Sequence, residues 1–502
     1  MDTDVIVVGA GPVGLMLAGE LRLGGARVVV LERLTEPTGQ SRGLGFTARA
    51  METFDQRGLL ELFGEPLEKS PLGHFGGVRF DYTVLPDAHF GARGVPQYRT
   101  EAVLERWATG LGADVRRGWD VTRLDDDGDG VTVTAATPDG ERRLRAAYLV
   151  GCDGGQSTVR RAAGFAFPGT PATREMYLAD VVGGGIRPRP LGERLPAGMV
   201  MAAPLREGVD RIIVCPHGTP ARDRADGAVG FGEVAEAWRR ITGESIAGLD
   251  TEWVSSFTDA ARQVTDYRRG RVLLAGDAAH IHLPAGGQGL STGVQDAANL
   301  GWKLAAVVQG WAPAGLLDTY QGERHPVGAR VLMNTRAQNT VFLGGEESEP
   351  LRALFAELIA VDDVKRHLAG VVSGLDVTYD VGGDAGAPLV GRRVPPRPLA
   401  TTGGETTTTR LLHPAQGLLL DLADDPALRA AADGWKDRVV LAAGRPRDPA
   451  AFEGATALLV RPDGYVAWSR GAGGGDGDAA AETDAGSLDA ALRRWFGAPV
   501  AG

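Results

Sequence analysis

Cysteine is almost missing from this chain, which has 2 in 502 residues, Cys152 and Cys215. They lie far apart and form no paired motif, which excludes a disulfide framework and a thiol redox or thiolate-metal centre and favours a reducing compartment. Lysine is scarce too. Lys69, Lys303, Lys365 and Lys436 are the only ones among 53 basic residues, and this arginine bias, with abundant Ala and Gly, points to a GC-rich genome and not to a chemistry. Basic charge is in deficit as well: 53 basic residues against 64 acidic give a net charge of −11. Nucleic acid and anionic membrane are therefore excluded as partners. No stretch approaches ~20 uninterrupted apolar residues, and Met1 to Asp4 is acidic where a secretory signal is basic, so the expected location is the cytoplasm. A Gly-x-Ser-x-Gly elbow and a Walker loop are both absent.

Glycine is in excess. The 73 Gly exceed the usual ~7% share, and many tight turns or close approaches of backbone to a large cofactor would use them. The rest of the composition, 43% apolar and 23% charged, is that of an ordinary globular protein. At roughly 150 residues per domain the length predicts about three domains.

Val5 to Val8 is a β-branched run ended by glycines, read as a buried strand. Pro12 to Leu23 has helical spacing, and Arg27 to Leu31 is a second strand ending at Glu32, which completes a βαβ unit. Short strands follow at Val121–Leu124, Val131–Thr134 and Arg142–Val150. The acidic turn Asp125 to Gly130 opens like a calcium loop, but Ala136 stands where the closing glutamate belongs, so it reads as a hairpin turn. Residues 180–260 mix short strands with a helix from Gly232 to Thr242. A strand at Arg271–Ala275 and a helix from Ser291 to Val308 then resume the first domain, which is discontinuous. A Thr-rich stretch, Thr401 to Thr409, separates a small α/β unit with strands at Leu418–Leu422, Val439–Ala442 and Ala457–Val460. Gly471 to Gly486 has too little apolar surface to pack and is read as a loop.

The strongest local motif is Gly9, Gly11 and Gly14 after the first strand, with Glu32 ending the second. The glycines permit a tight turn and let backbone approach a pyrophosphate, Pro12 opens a helix with free N–H groups, and the acid sits ~20 residues on, where a ribose hydroxyl is held. This leaves NAD and FAD equally open. Two further motifs follow strands: Cys152, Asp153, Gly154, Gly155 with Ser157 and Arg160, and Gly276 with Asp277. Singly, each suits a helix cap. Together, in this order, the three motifs resemble the signatures of the FAD-dependent aromatic hydroxylases, the single-component flavoprotein monooxygenases. Among these the chain is most similar to the hydroxylases of aromatic polyketides such as angucyclines and anthracyclines. The residues are Glu32 and Arg33; Ser41, Arg42 and Gly43; Pro96 and Gln97 before Thr100 and Glu101; Gly276 to Lys303; and Val460 to Trp468.

The resemblance implies an α/β fold with a Rossmann-like FAD-binding domain like that of p-hydroxybenzoate hydroxylase (1–70, 98–178 and 260–345). A sheet-based substrate domain (71–97 and 179–259) is inserted in it, and a helical connection (346–400) leads to a thioredoxin-like C-terminal domain (401–502). It implies tightly but non-covalently bound FAD, with NADPH as co-substrate. Gly9, Gly11, Gly14, Glu32 and Arg33 would serve the ADP half, with Val121 near the adenine. Arg42 and Gln97 would lie beside the phosphates and ribityl chain, and Asp277 would bind a ribityl hydroxyl. Gly289 and Leu290 would direct N–H groups at the pyrimidine edge of the flavin. Asp153 and Arg160 would serve the pyrophosphate region and NADPH docking, and the Pro284 carbonyl would face the oxygen-reactive carbon. Leu283 and Ser291 depart from the family's usual proline and asparagine, and the C-terminal domain has no cysteine, so its role is structural.

The implied reaction is hydroxylation of a phenolic polycyclic polyketide with O₂ through a flavin C4a-hydroperoxide, with no side-chain base assigned. Baeyer–Villiger insertion on the same scaffold and a non-catalytic flavin-binding partner are the alternatives; the Trp-x-Trp pair of flavin-dependent halogenases is absent among the 9 tryptophans. Monomer and homodimer remain open. His280 and His282 lack further ligands for a metal and read as loop histidines satisfied by backbone, so no metal is expected. His74 and Phe75 suit either a substrate wall or an apolar hairpin, and Arg268, Arg269 and Arg271 a solvated face.

Overall fold

The computed structural model describes residues 1–64, 67, 69–85, 91–222, 224, 229–383, 386–471 and 488–500. The segment read as a loop from Gly471 lies, beyond that first residue, outside the described residues.

Thr3–Val8 and Val28–Glu32 are buried on both sides, and strands with no face for water pair inside parallel sheets. They do so here in the order Arg268–Arg269, Val272–Leu274, Gly140–Gly151, Thr3–Val8, Val28–Glu32, Asp114–Arg117. All neighbours are parallel except the Arg268–Arg269 edge. The long Gly140–Gly151 strand also pairs antiparallel with Val131–Thr137, which continues to Asp120–Asp126. The acidic turn there closes on itself: Asp127 Oδ1 accepts the N–H groups of Asp129 (3.1 Å) and Gly130 (3.0 Å). The last parallel strand, Val272–Leu274, comes only after a second sheet has been completed.

That second sheet is antiparallel, in the order Arg189–Leu195, Gly198–Arg206, Val209–Pro216, Glu175–Val182, Asp250–Thr258. Helix Phe231–Thr242 covers one face, with Trp238 fully buried against Tyr177, Val200 and Val214. The other face looks toward the loop 282–290. Helix Thr319–Leu343, with Pro326 inside it, then leads through Glu349–Ala360 and Asp362–Ser373 to a sheet in the order Val439–Ala443, Gly417–Asp421, Ala455–Val460, Val466–Gly471. One parallel pair and two antiparallel ones make this the thioredoxin-like part. Trp495 and Phe496 seat it on Trp302 of helix Gln288–Val308, with ring centroids 6.3 Å apart in each pair.

Two boundaries differ from the sequence reading for physical reasons. Helix Gln288–Val308 starts three residues before Ser291, because Gly286 (φ +69°) and Gly287 (φ +66°) turn the chain in the left-handed region and release the next residue into helix. The threonines 401–409 are no spacer: Pro398–Thr401 and Gly404–Thr407 pair as a hairpin, as β-branched residues favour, and buried Thr408 donates to the Pro395 carbonyl (2.7 Å). Among the described residues no helix is long and apolar enough to cross a membrane, and no group of three His, Cys, Asp or Glu is placed to hold a metal.

Candidate active site

The three fingerprint glycines do different work. Gly9 (φ +105°) lies where a Cβ would come within 2.5 Å of the Cys152 carbonyl, and a Cβ on Gly14 would strike the carbonyl of Gly9. Both positions are closed by the protein itself. Gly11 has nothing within 4 Å, so the backbone there is open toward a ligand, at the N-terminus of helix Pro12–Leu23. Glu32 accepts the N–H groups of Ala10 (2.8 Å) and Leu34 (3.0 Å), which fastens the end of the second strand to the fingerprint turn. Arg33 beside it is exposed, and Val121 is 4% exposed within the core.

Asp153 Oδ2 accepts the Val159 N–H (3.0 Å), while its buried Oδ1 has no partner. Arg160 donates to the carbonyls of Ala278 (3.0 Å) and Gly155 (2.7 Å) and stacks on Phe167 at 3.9 Å. Its guanidinium thus braces the two motifs against each other. Asp277 is exposed, and its carboxylate accepts no hydrogen bond from a described residue. Its neighbour Gly276 donates to Asp296 Oδ2 (3.1 Å), and the same carboxylate takes His280 Nε2 (2.8 Å) and Arg324 Nε (2.7 Å). Burial would raise the Asp296 pKa, but the charges of Arg324 and His280 outweigh it and hold the group below the usual range. His280 Nε2 is therefore met by a buried carboxylate and not by backbone, because its strand faces helix Gln288–Val308, while its buried Nδ1 has no partner.

In the loop that follows, His282 Nδ1 meets the Leu283 carbonyl (2.7 Å), and burial pushes its pKa down, so the ring is neutral. Pro284 is exposed at the turn. Gly289 and Leu290 lie in the first turn of a 21-residue helix, where N–H groups have no partner within the helix and the dipole favours negative charge. Ser291 Oγ accepts the Thr47 N–H (3.0 Å), so this serine ties the flavin-side loop to helix Ala48–Asp55. Gln97 Oε1 accepts the Gly43 N–H (3.1 Å) and its Nε2 donates to Glu101 (2.8 Å), which positions the loop that carries exposed Arg42.

Sequence reasoning missed a second fastening of that loop. Arg211 and Asp180 form a buried bidentate pair (2.6 and 2.7 Å) inside the antiparallel sheet, and Arg211 also reaches the Ser41 carbonyl. Two opposite charges inside apolar strands were the available signal; that they face each other in register appears only in the sheet. Asp296 and Arg324 carried no local signal. Above the loop, Met176, Met199 and Cys215 of the antiparallel sheet meet Leu283, Ala285 and Leu343 in an apolar cluster. Phe75 packs on Phe355 (5.1 Å) as a hairpin core residue, whereas His74, made neutral by burial, lies 5.7 Å from Phe342 at the edge of that cluster.

An open backbone at Gly11, an orphaned buried carboxylate oxygen on Asp153, an unpartnered Asp277 and free N–H groups at a long helix's start form one extended cradle. It fits a dinucleotide ending in a flavin. Comparison with known proteins agrees: residues 2–335 match the FAD binding domain family and residues 387–499 the C-terminal domain of aromatic-ring hydroxylases. The chain belongs to the FAD-dependent aromatic-ring hydroxylases, and it is a flavoprotein monooxygenase with FAD as cofactor and NADPH as co-substrate. It is similar to the 12-dehydrotetracycline 5-monooxygenase/anhydrotetracycline 6-monooxygenase of Streptomyces rimosus, 47% identical over 100% of both chains. The rifampicin monooxygenase of Streptomyces venezuelae is 44% identical over 99% of this chain and 100% of its own. The crystal structure of CabE, an aromatic hydroxylase from angucycline biosynthesis, superposes with a TM-score of 0.92 at 59% identity, covering 99% of this chain and 100% of that one.

Proposed function

We propose that the protein hydroxylates a phenolic ring of a polycyclic polyketide, using NADPH and O₂. The observation that carries this is the apolar cluster where the antiparallel sheet meets Leu283 and Ala285: two methionines and a thiol face the loop, with Phe342 alongside, and the arginines at its border, Arg174 and Arg194, are held by the backbone carbonyls of Leu343 and Phe342. Methionine sulfur packs favourably on aromatic faces and adapts to their outline, which suits several fused rings better than a small carboxylated phenol. Cys215 takes no part as a nucleophile, since burial pushes its thiol up to about 12.

When bound, FAD supplies the redox chemistry, taking a hydride from NADPH and delivering one oxygen atom of O₂ to the ring. The chain does the rest. Glu32 and the N–H groups around Gly11 would hold the ADP half, Asp153 Oδ1 would accept from a hydroxyl or a bound water beside the pyrophosphate, and Asp277 from a ribityl hydroxyl. Gly289 and Leu290 would donate toward the ring edge where negative charge develops. Burial keeps His74 and His282 neutral, so neither adds a cation beside the apolar cluster. The substrate's own phenol, acidified by a neighbouring quinone, needs no fixed base. Closing the sheet over the loop excludes water, which protects the oxidant.

The test is turnover with tricyclic and tetracyclic phenols under labelled dioxygen. One labelled atom should appear as a ring hydroxyl with matching NADPH consumption, and p-hydroxybenzoate should stimulate little. Label in a ring-expanded lactone would establish the Baeyer–Villiger reaction instead, and label arriving from water would defeat both.

A further inference from the structure

Behind the start of helix Gln288–Val308, on the side away from the fingerprint glycines, lies a cleft of about 530 Å³ bounded by helix Thr319–Leu343 and by residues 371–380. It is separate from the apolar cluster under the antiparallel sheet, none of whose residues line it. Its walls are apolar, with Val327, Val331, Val371 and Val372, and its floor is polar.

Among the lining side chains of the floor, Gln295 is the one with a buried polar atom that lacks a partner. Thr292 Oγ1 donates to the Gln288 carbonyl (2.9 Å), Asn334 Nδ2 donates to Gln288 Oε1 (2.9 Å), and Ser291 Oγ is taken by Thr47. Gln295 is 8% exposed; its Nε2 donates to the Ser291 carbonyl (3.1 Å), which orients the amide, and its Oε1 is buried with no partner. A buried acceptor without a donor costs stability unless a ligand or ordered water meets it. At the mouth, Arg330 is paired with Asp376 (2.9 Å) beside Asp380, and deeper in, Glu323 is held by Lys303 (2.8 Å) and Arg461 (2.6 Å). Arg330 is the only cation among the described lining residues and Asp376 already holds it, so the cleft presents no unpaired cation to a phosphate or carboxylate. What it fits is a neutral body of two or three fused rings that presents an O–H donor to Gln295.

We infer that this cleft is a second binding site for a polycyclic phenol, distinct from the apolar cluster beside which the ring is proposed to react, and that Gln295 Oε1 is its recognition atom. The inference rests on the reading of the substrate as a phenolic polycycle. Because the floor shares Thr47 and Ser291 with the loop that positions the helix start, a second molecule held there lies one helix face from the reacting ring.

The experiment is calorimetric titration of phenanthrol, a tricyclic phenol transparent in the flavin band, into the oxidised FAD-loaded protein without NADPH, with flavin absorbance followed in parallel. Two equivalents should bind and only one should perturb the flavin. Val331→Trp should abolish the silent equivalent and keep the other, and Gln295→Leu should weaken the silent one by about three- to tenfold, the loss of one hydrogen bond. A single, flavin-perturbing equivalent in the parent protein would overturn this inference alone, as would a silent equivalent surviving in folded Val331→Trp protein or binding with unchanged affinity in folded Gln295→Leu protein. No binding by either signal would overturn both this inference and the reading of the substrate.

Discussion

The two sides of helix Gln288–Val308 solve opposite problems. On one side Gly293 sits where a Cβ would come within 2.6 Å of Val13, and the helix closes on the fingerprint by having almost no side chain there. On the other, Asn299 and Lys303 enter a buried charged network with Glu323, Arg461 and Asp463, in which Arg461 spans Glu323 (2.6 and 2.8 Å) and Asp463. The first side is built by absence, so its tolerance to change is set by sterics. The second is built by matched charges, and removing one leaves another buried and unpaired. A cofactor seat made from backbone thus rests on a domain joint made from side chains.

The sharpest way to break this comparison is at the glycines. Gly14→Val should yield protein without flavin after reconstitution, since its side chain meets the rigid Gly9 carbonyl. Gly11→Ala should leave the apoprotein's stability within about 0.5 kcal/mol, because that Cβ meets nothing, yet lower FAD affinity. Equal loss of stability in both would show that Gly11 serves the fold and not a ligand.

The next effect belongs to the joint. Arg461→Met should destabilise the protein by about 3–5 kcal/mol in chemical denaturation, because Glu323 and Asp463 stay buried without their partner, while flavin content per folded chain stays at the parent value. A parallel loss of flavin from folded protein would mean that the two sides of the helix are not separable.

Asp277→Ala should weaken FAD binding by about 1.5–3 kcal/mol, read as flavin retained after dialysis, because a charge-assisted hydrogen bond to the ribityl chain is lost. Asp125→Ala, in an exposed hairpin turn, should change nothing measurable. Equal flavin content in the two variants would remove Asp277 from the site.

The smallest effect is in pH. Burial would raise the Glu323 pKa, but Arg461 and Lys303 outweigh it and hold it at about 2, against an ordinary 4.5. A carboxylate depressed in the folded state adds stability that is fully present above pH 4.5 and is lost as pH falls toward 2. Glu323→Gln should therefore flatten that stretch of the thermal stability profile, and an unchanged slope would assign the acid sensitivity elsewhere.

The amino-acid sequence alone determined what depends on neighbours along the chain. Gly9, Gly11, Gly14 and Glu32 announce a strand–turn–helix and its acid, since backbone freedom, strand periodicity and a fixed spacing are local properties, and Asp277 follows its strand in the same way. Tertiary structure decided what depends on charges meeting from afar. Asp296 finds Arg324 from 28 residues away, Arg211 finds Asp180 across 31, and Arg461 finds Glu323 across 138. Arg160 shows the division within one residue: its place beside the Asp153 motif was legible, but the backbone carbonyl of Ala278 that claims it lies 118 residues on. Such pairs leave no periodic trace, because a buried ion pair depends on two side chains sharing one desolvated volume, and which residues share a volume is settled only when the sheets and helices close over it.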